Sequence, residues 1–435
     1  MTRAVTLELD TWDMHLQSDR ALVPANAPAV RYLHVVIAAP PKPKTADAVR
    51  TPVDVALVLD RSGSMGGRKL DMAREAVAHA IRLLKPSDHL GVVCYDDQVQ
   101  TVLDRAPATA EAKALATSRL RAIDARGSTD LHAGWLRGAE LARAEAKGTG
   151  LAKVLLLTDG LANHGMIDHG ELVATASRLR QEGVVTSTFG VGADFDEELL
   201  SRIATEGGGH FYFIEKAVQI PDMFASELGE TLEVVARDVV FEVSSEPGVE
   251  AMILNALPSE QVDGRLRVRC GDLVADQELT LIVAVAFKGV HPEGANLGAQ
   301  CVVSDREHVL FAAPVTVPWR SVSAAEDAAQ AVNHAVLSSV GAMLAERARA
   351  SALAANRRDE FDLAKRILRE MVSDLRALAP DDQAVQSLVE QLLQDERELG
   401  ERISPMAKKE RHFASYLMAH SREAGGTARR RKRPE

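Results

Sequence analysis

The spacing of hydrophobic positions changes along the chain. In the opening stretch AVTLELD it is two: Val5, Leu7 and Leu9 face one way, Thr6, Glu8 and Asp10 the other, the pattern of a half-buried strand. RYLHVVIAAP is a second, more apolar strand, and the proline-rich PPKPKTADAVRTP after it cannot enter a sheet interior. From Val53 to about Gly229 the pattern differs. Unbroken apolar runs (VDVALVL, HLGVVCY, KVLLL, VVTSTFGVG, HFYFI) alternate with helical stretches, and in the first of these Leu70, Ala73, Val77, Ile81 and Leu84 recur at three- or four-residue steps. Such alternation predicts a parallel sheet covered on both faces, a doubly wound α/β domain with its ligands at the carboxyl ends of strands.

From about Val239 to Pro318 the period returns to two, with Leu279, Leu281, Val283, Val285 and Phe287 on one face of QELTLIVAVAF. Two strands make no independent core, so the N-terminal pair is expected to complete this later antiparallel domain. After Ala324 helices dominate: FDLAKRILREMVSDL places Phe361, Ile367 or Leu368, Met371 and Leu375 on one stripe, and VQSLVEQLL follows a break at Pro380. The expected fold is a multi-domain chain, a doubly wound α/β domain inserted into an antiparallel β-sandwich and followed by an α-helical region. The divisions are 1–49 (strands completing the sandwich), 53–229 (α/β domain), 236–320 (sandwich), 324–421 (helices) and 422–435 (a basic tail read as solvated).

Composition adds exclusions. The chain has 435 residues, 46% hydrophobic, with a net charge of −11, which argues against general affinity for nucleic acid. Only the basic run Arg429 to Arg433 could touch nucleic acid, acidic protein or lipid. Three scattered cysteines, Cys94, Cys270 and Cys301, suit neither a disulfide framework nor a zinc site. No apolar stretch reaches membrane-spanning length and no leader-like run opens the sequence, so the expected location is cytoplasmic.

The chemistry gathers where apolar strands end. DRSGS carries Asp60, Ser62 and Ser64, three oxygen side chains in five residues with Gly63 between the serines. A hard cation such as Mg²⁺ wants oxygen ligands in a near-octahedral array, and these would supply half of one. RGSTDLHAG offers Thr129, and KVLLLTDG ends its strand in Asp159; in a doubly wound sheet both loops can lie at the edge that carries Asp60.

This order of motifs, DxSxS, then a threonine in GST about 65 residues on, then TDG, resembles the metal-ion-dependent adhesion site of von Willebrand factor type A domains. The resemblance covers Val53 to about Gly229. A β-sandwich formed from both sides of the domain resembles integrin hybrid domains. The whole order looks like bacterial cytoplasmic proteins that join this domain to a β domain and a helical tail, and looks related to calcium-activated chloride channel regulator homologues and inter-alpha-trypsin inhibitor heavy chains. The resemblance implies that Ser62 and Ser64 hold a divalent ion directly. It implies that Asp60 and Asp159 act close by, through water and hydrogen bonds, and that Thr129 joins when ligand is bound. Mg²⁺ is the expected ion, with Mn²⁺ or Ca²⁺ possible. Two carboxylates and three neutral hydroxyls only about balance a divalent charge, so the open position favours an Asp or Glu of a partner protein.

Arg61, Met65, Arg68, His132 and His164 are candidates for the partner-binding rim, with His169 nearby. No catalytic residue is expected. The nucleophile elbow fails because Ser62 stands where its first glycine belongs, a phosphatase DxDxT lacks its second acid, and GSMGGRKL lacks P-loop spacing. The expected function is a metal-dependent interaction module that scaffolds or regulates a cytoplasmic complex. The alternatives are an adaptor for a separate AAA+ ATPase of the MoxR kind, which is a family implication, and a metal-dependent hydrolase.

Overall fold

The structure, a computed structural model, describes residues 5–9, 12–41, 52–143, 151–289, 291–306, 310 and 314–431. Most of the proline-rich stretch read as a linker lies outside them. The chain opens with four strands, β1 (Val5–Leu9), β2 (Trp12–Ser18), β3 (Leu22–Pro24) and β4 (Ala29–Ala38). The second and third escaped the sequence reading. In β2 the inward positions Trp12, Met14 and Leu16 alternate with Asp13, His15 and Gln17, so the period was present but its outward face is charged enough to read as loop.

The α/β domain follows, and its elements in order are β5 (Val53–Asp60), α1 (Arg68–Leu83), β6 (His89–Tyr95), β7 (Val99–Pro107), α2 (Ala110–Arg121), α3 (Leu131–Ala142), β8 (Leu151–Thr158), α4 (His169–Gln181), β9 (Val184–Val191), α5 (Glu197–Glu206), β10 (Gly208–Ile214) and α6 (Ile220–Thr231). The sheet order is β10-β9-β8-β5-β6-β7, parallel except for the antiparallel edge β7. Every residue of β5, β8 and β9 is buried, as a sheet packed on both faces requires. One face packs against α1, α2 and α6, the other against α3, α4 and α5. The chain leaves β5 toward β6 on one side and returns to β8 on the other. The β5/β8 boundary is therefore the switch point where loops diverge and leave a crevice.

Seven more strands follow, β11 (Val234–Ser245), β12 (Val249–Ile253), β13 (Ser259–Val262), β14 (Arg265–Val274), β15 (Glu278–Phe287), β16 (Asn296–Ser304) and β17 (Val315–Val322). Together with β1 to β4 they form two sheets, ordered β1-β2-β4-β15-β12 and β13-β14-β11-β16-β17-β3. These share one hydrophobic core, with Leu33, Val35 and Ile37 of β4 and Leu281, Val283 and Val285 of β15 on one side, and Phe241, Val303 and Trp319 on the other.

The last elements are α7 (Ala324–Ala329), α8 (His334–Arg357), α9 (Phe361–Leu378), α10 (Gln383–Leu399) and α11 (Pro405–Ala419). Helices α8, α9 and α10 form a bundle whose buried stripe on α9 runs through Ala364, Leu368, Val372 and Leu375. Phe361 and Met371 lie off its centre. The bundle covers the outer face of β15, where Ile282 and Ala284 meet Val336, Val340 and Met343. Among the described residues no helix is long and apolar enough to cross a membrane.

Helix α11 joins the bundle to the α/β domain: it lies along α8, with Arg411 paired to Asp395 of α10, while Phe413, Tyr416 and Leu417 pack into the α/β domain beside Phe211 and Phe213. One sequence expectation is corrected here: residues 422–431 do not form a solvated tail. Arg422 and Ala428 are buried, Glu278 N–H donates to the Arg429 carbonyl at 2.9 Å, and Arg431 N–H donates to the Asp276 carbonyl at 2.8 Å. A cluster of arginines looks unstructured in sequence because its acidic partners, Glu230, Glu233 and Asp13, lie about 200 or more residues away.

Candidate functional site

Asp60 ends β5 and Asp159 follows β8, so the switch point sets the two carboxylates side by side. Both are fully buried. Asp60 Oδ1 accepts from the Ser62 amide at 2.7 Å, and Oδ2 accepts from the Thr158 hydroxyl at 2.6 Å. A short 3-10 turn, Gly63–Met65, then swings Ser64 back over the sheet edge. The Ser62 and Ser64 hydroxyls lie 3.2 Å apart, and Ser64 Oγ donates to Asp159 Oδ1 at 2.7 Å. Thr129 completes the ring from a third loop: a Cβ built on Gly160 would lie 3.6 Å from both Ser64 Oγ and Thr129 Oγ1. Ser62 and Thr129 are buried, while Ser64 is exposed and opens the cluster to solvent.

Ion pairs to the buried Asp96 hold the loops in register. Asp96 Oδ2 accepts from Arg61 Nε at 3.0 Å and from Arg126 Nε at 2.7 Å. The Gly63 amide donates to the Gly127 carbonyl at 3.1 Å, and the Arg126 amide to the Arg61 carbonyl at 2.8 Å. Gly127 has φ of +69°, and a Cβ there would sit 2.0 Å from an Asp97 oxygen, so only glycine fits this crossing. Burial would raise the Asp96 carboxyl, but the Arg126 and Gln98 hydrogen bonds and the Arg61 charge hold it below the usual range. The Thr129 amide donates to Asn163 Oδ1 at 2.9 Å, and its carbonyl accepts the Asn163 and His164 amides.

The five predicted oxygens therefore converge, and the rim candidates divide. Arg61 is 4% exposed and tied to Asp96, and Met65 is fully buried in the core under α1; neither can face a partner. Arg68 and His164 are exposed, and His132 is partly buried. His164 Nδ1 lies 3.4 Å from Asp130 Oδ2. Exposed Leu161, Met166 and Ile167 share the loop after Asp159. Sequence reasoning missed the hydrogen-bonding role of Thr158, although its TD dipeptide was in view. It also missed Asn163 and Lys69, whose Nζ donates to Asp159 Oδ2 at 2.5 Å.

The donor set fits a small hard cation. Burial pushes Asp60 up to about 6, opposed by its hydrogen bonds from Thr158 and Ser62 and reinforced by the charge of Asp159. Among the described residues no cationic side chain pairs with Asp60, and a buried carboxylate without a cation is costly unless it serves a metal. Octahedral Mg²⁺ with bonds of about 2.0 to 2.1 Å has ligand oxygens about 2.9 Å apart, and the hydroxyl and carboxylate spacings of 3.2 and 2.7 Å bracket that value. A second potential cluster, His210, Glu227 and Glu230, is already neutralised: Lys153 Nζ lies 2.5 Å from Glu227 and Arg422 Nη2 2.6 Å from Glu230.

Comparison with known proteins bears on the α/β domain and on the fold. Residues 54–226 match the family model of the von Willebrand factor type A domain. The chain is 28% identical to the uncharacterized protein YfbK of Escherichia coli K12 over 251 residues, 54% of this chain and 42% of that protein. The chain thus spans about two fifths of that relative's length. In structure it is similar to a von Willebrand factor type A protein from Catenulispora acidiphila (TM-score 0.66, 17% identity, 89% of this chain and 91% of that one). It is also similar to the ArnB paralog VWA2 from Sulfolobus acidocaldarius (TM-score 0.60, 14% identity, 96% and 100%). Those likenesses extend beyond the α/β domain and concern the fold. Residues 54–226 of this chain, with Asp60 and Asp159 at the switch point of their sheet, form a von Willebrand factor type A domain.

Proposed function

We propose that this protein is a metal-dependent interaction module that holds an acidic side chain of a partner protein and so scaffolds or regulates a cytoplasmic complex. Domains of this type are generally metal-dependent, non-catalytic interaction modules. The observation that carries the reading for this chain is the convergence of oxygens from three loops around a buried Asp60 that has no cationic partner among the described residues. Ser62, Ser64 and Thr129 would hold Mg²⁺ through their hydroxyls, while Asp60 and Asp159 orient the serines and supply negative charge. The bound ion would offer an electrophilic position to a carboxylate. Around it the exposed Leu161, Met166 and Ile167 and the basic Arg68 give a partner surface to pack on. Three free cysteines are consistent with a reducing compartment.

The test is capture from native extract by wild type and by Ser62→Ala/Ser64→Ala, each with Mg²⁺ and with EDTA. A partner retained only by wild type in Mg²⁺ is expected. An AAA+ ATPase in that fraction would give the module an adaptor role. The same proteins in all four samples would remove the metal site from the interface.

A further inference from the structure

We propose that Lys69 is a tethered counter-ion that makes metal binding at this site depend on an acidic ligand. The inference rests on the metal-site reading and concerns how the chain's own charges tune it. Lys69 lies in the first turn of α1, with its side chain 30% exposed, and its ammonium reaches the fully buried Asp159. The two Asp159 oxygens are divided: Oδ1 takes the Ser64 hydroxyl and Oδ2 takes Lys69. The other side of the ammonium is bordered by Gly192 at the end of β9, in the left-handed region at φ +78°, where a Cβ would lie 3.7 Å from Nζ and 3.8 Å from Cε. The lysine head thus lies in contact range of the backbone at position 192, and from there the ammonium reaches the site's own carboxylate.

The consequence follows from charge. Counted as formal charges, Asp60 and Asp159 supply two negatives and Lys69 returns one positive. A divalent ion leaves this cluster with one net positive charge, and one carboxylate from outside restores neutrality. Without Lys69 the two aspartates alone about balance the ion, so a further carboxylate would be drawn only by the open coordination position and would leave the cluster net negative, a weaker pull than with Lys69 present. Lys69 therefore weakens the site for bare metal and strengthens it for metal plus a monoanionic carboxylate, the charge of an Asp or Glu side chain. Linkage makes this reciprocal: whatever the ligand gains from metal, metal gains from ligand.

The experiment is calorimetric titration of the full chain with Mg²⁺, in chloride and in acetate at equal ionic strength, for wild type and Lys69→Met. Melting in EDTA checks that the variant is folded. Lys69→Met is expected to bind Mg²⁺ in chloride at least about fivefold more tightly than wild type, the lower end of typical site–site coupling. Wild type is expected to gain affinity in acetate and the variant to gain little. Equal or weaker Mg²⁺ binding by Lys69→Met overturns the counter-ion role while leaving the metal site standing. Tighter binding with an unchanged acetate gain overturns the coupling. Wild type that binds no more Mg²⁺ than Ser62→Ala/Ser64→Ala overturns the metal-site reading itself, and this inference with it.

Discussion

Gly160 follows Asp159 and faces the gap between two hydroxyls from different loops. A methyl there would stand 3.6 Å from Ser64 Oγ and from Thr129 Oγ1, an ordinary contact on an unstrained backbone. Gly160→Ala should therefore fold normally, with stability within about 0.5 kcal/mol of wild type as for most uncomplicated substitutions. Its methyl should nevertheless obstruct the oxygen cluster. The expected result is an unchanged melting curve in EDTA and a loss of the stabilisation that Mg²⁺ confers on wild type; equal Mg²⁺-induced shifts would mean that the hydroxyls do not share a ligand. At this scale the five oxygens were legible because each sits in a short loop motif beside an apolar strand. Lys69 and Asn163 were not, because what they do depends on contacts 90 and 34 residues away. Arg61 was misread for the same reason: loop position alone suggested exposure, whereas Asp96, 35 residues on, draws its guanidinium inside.

Among the elements, α11 has the largest consequence that its sequence concealed. Its stripe of Phe413, Tyr416 and Leu417 looks like any bundle face, but while the helix also lies along α8 that stripe packs on α5 and β10 of the α/β domain. Tyr416 Oη accepts from the Phe211 amide at 3.0 Å, and Lys409 Nζ donates to the Phe195 carbonyl at 2.6 Å. One histidine, His412, lies in this helix and another, His420, caps its C-terminus. Burial lowers His412 to about 4, aided by the charge of Arg357 and opposed by Glu197 and Asp196. Burial likewise lowers His420 to about 4, with a hydrogen bond to the Tyr416 carbonyl opposing it and His210 and Arg422 adding to it. Both are held neutral in the fold, while in the unfolded chain they would titrate near 6.5. The unfolded state thus takes up protons first, so their contribution is complete above about pH 6.5 and is lost as pH falls toward 4. The melting temperature of wild type should fall over that window, and that of His412→Gln/His420→Gln should fall less steeply. Parallel curves for the two proteins would rule the histidines out as the source. By contrast the inward face of β15 was legible, because Leu279, Leu281, Val283, Val285 and Phe287 recur at every second position. Its second buried face was not, since only the packing of α8 shows that Ile282 and Ala284 are covered.

At the scale of the whole molecule, the chain's last described segment ties together what precedes it. Helix α6 ends the α/β domain and runs almost directly into β11, so its position bears on how the two halves meet. Residues 422–431 fasten that helix. Arg422 Nη2 lies 2.6 Å from Glu230 and 3.1 Å from Tyr212 Oη, and the Ala428 amide donates to the other Glu230 oxygen at 2.7 Å. One turn earlier Glu227 is held by Lys153 of β8, Tyr212 and His210 of β10, and Ser187 of β9. Beyond Ala428 the segment adds to the edge of β15 through Glu278 and bridges Gln277 to Arg430. Arg422→Ala would leave Glu230 buried with its charge uncompensated, a change that costs roughly 3 to 5 kcal/mol when a buried pair loses one partner. Urea denaturation should show a loss of that size. Hydrogen exchange should show faster exchange in α6 and in residues 422–431, with the amides of α8 to α10 unchanged. A loss below about 1 kcal/mol, the range of an exposed pair, would mean that the segment rests on the surface and does not fasten α6. A large loss with exchange raised uniformly would mean that Arg422 supports the fold as a whole. The expected local pattern would identify the C-terminal segment as the restraint on α6, the helix that leads almost directly into β11.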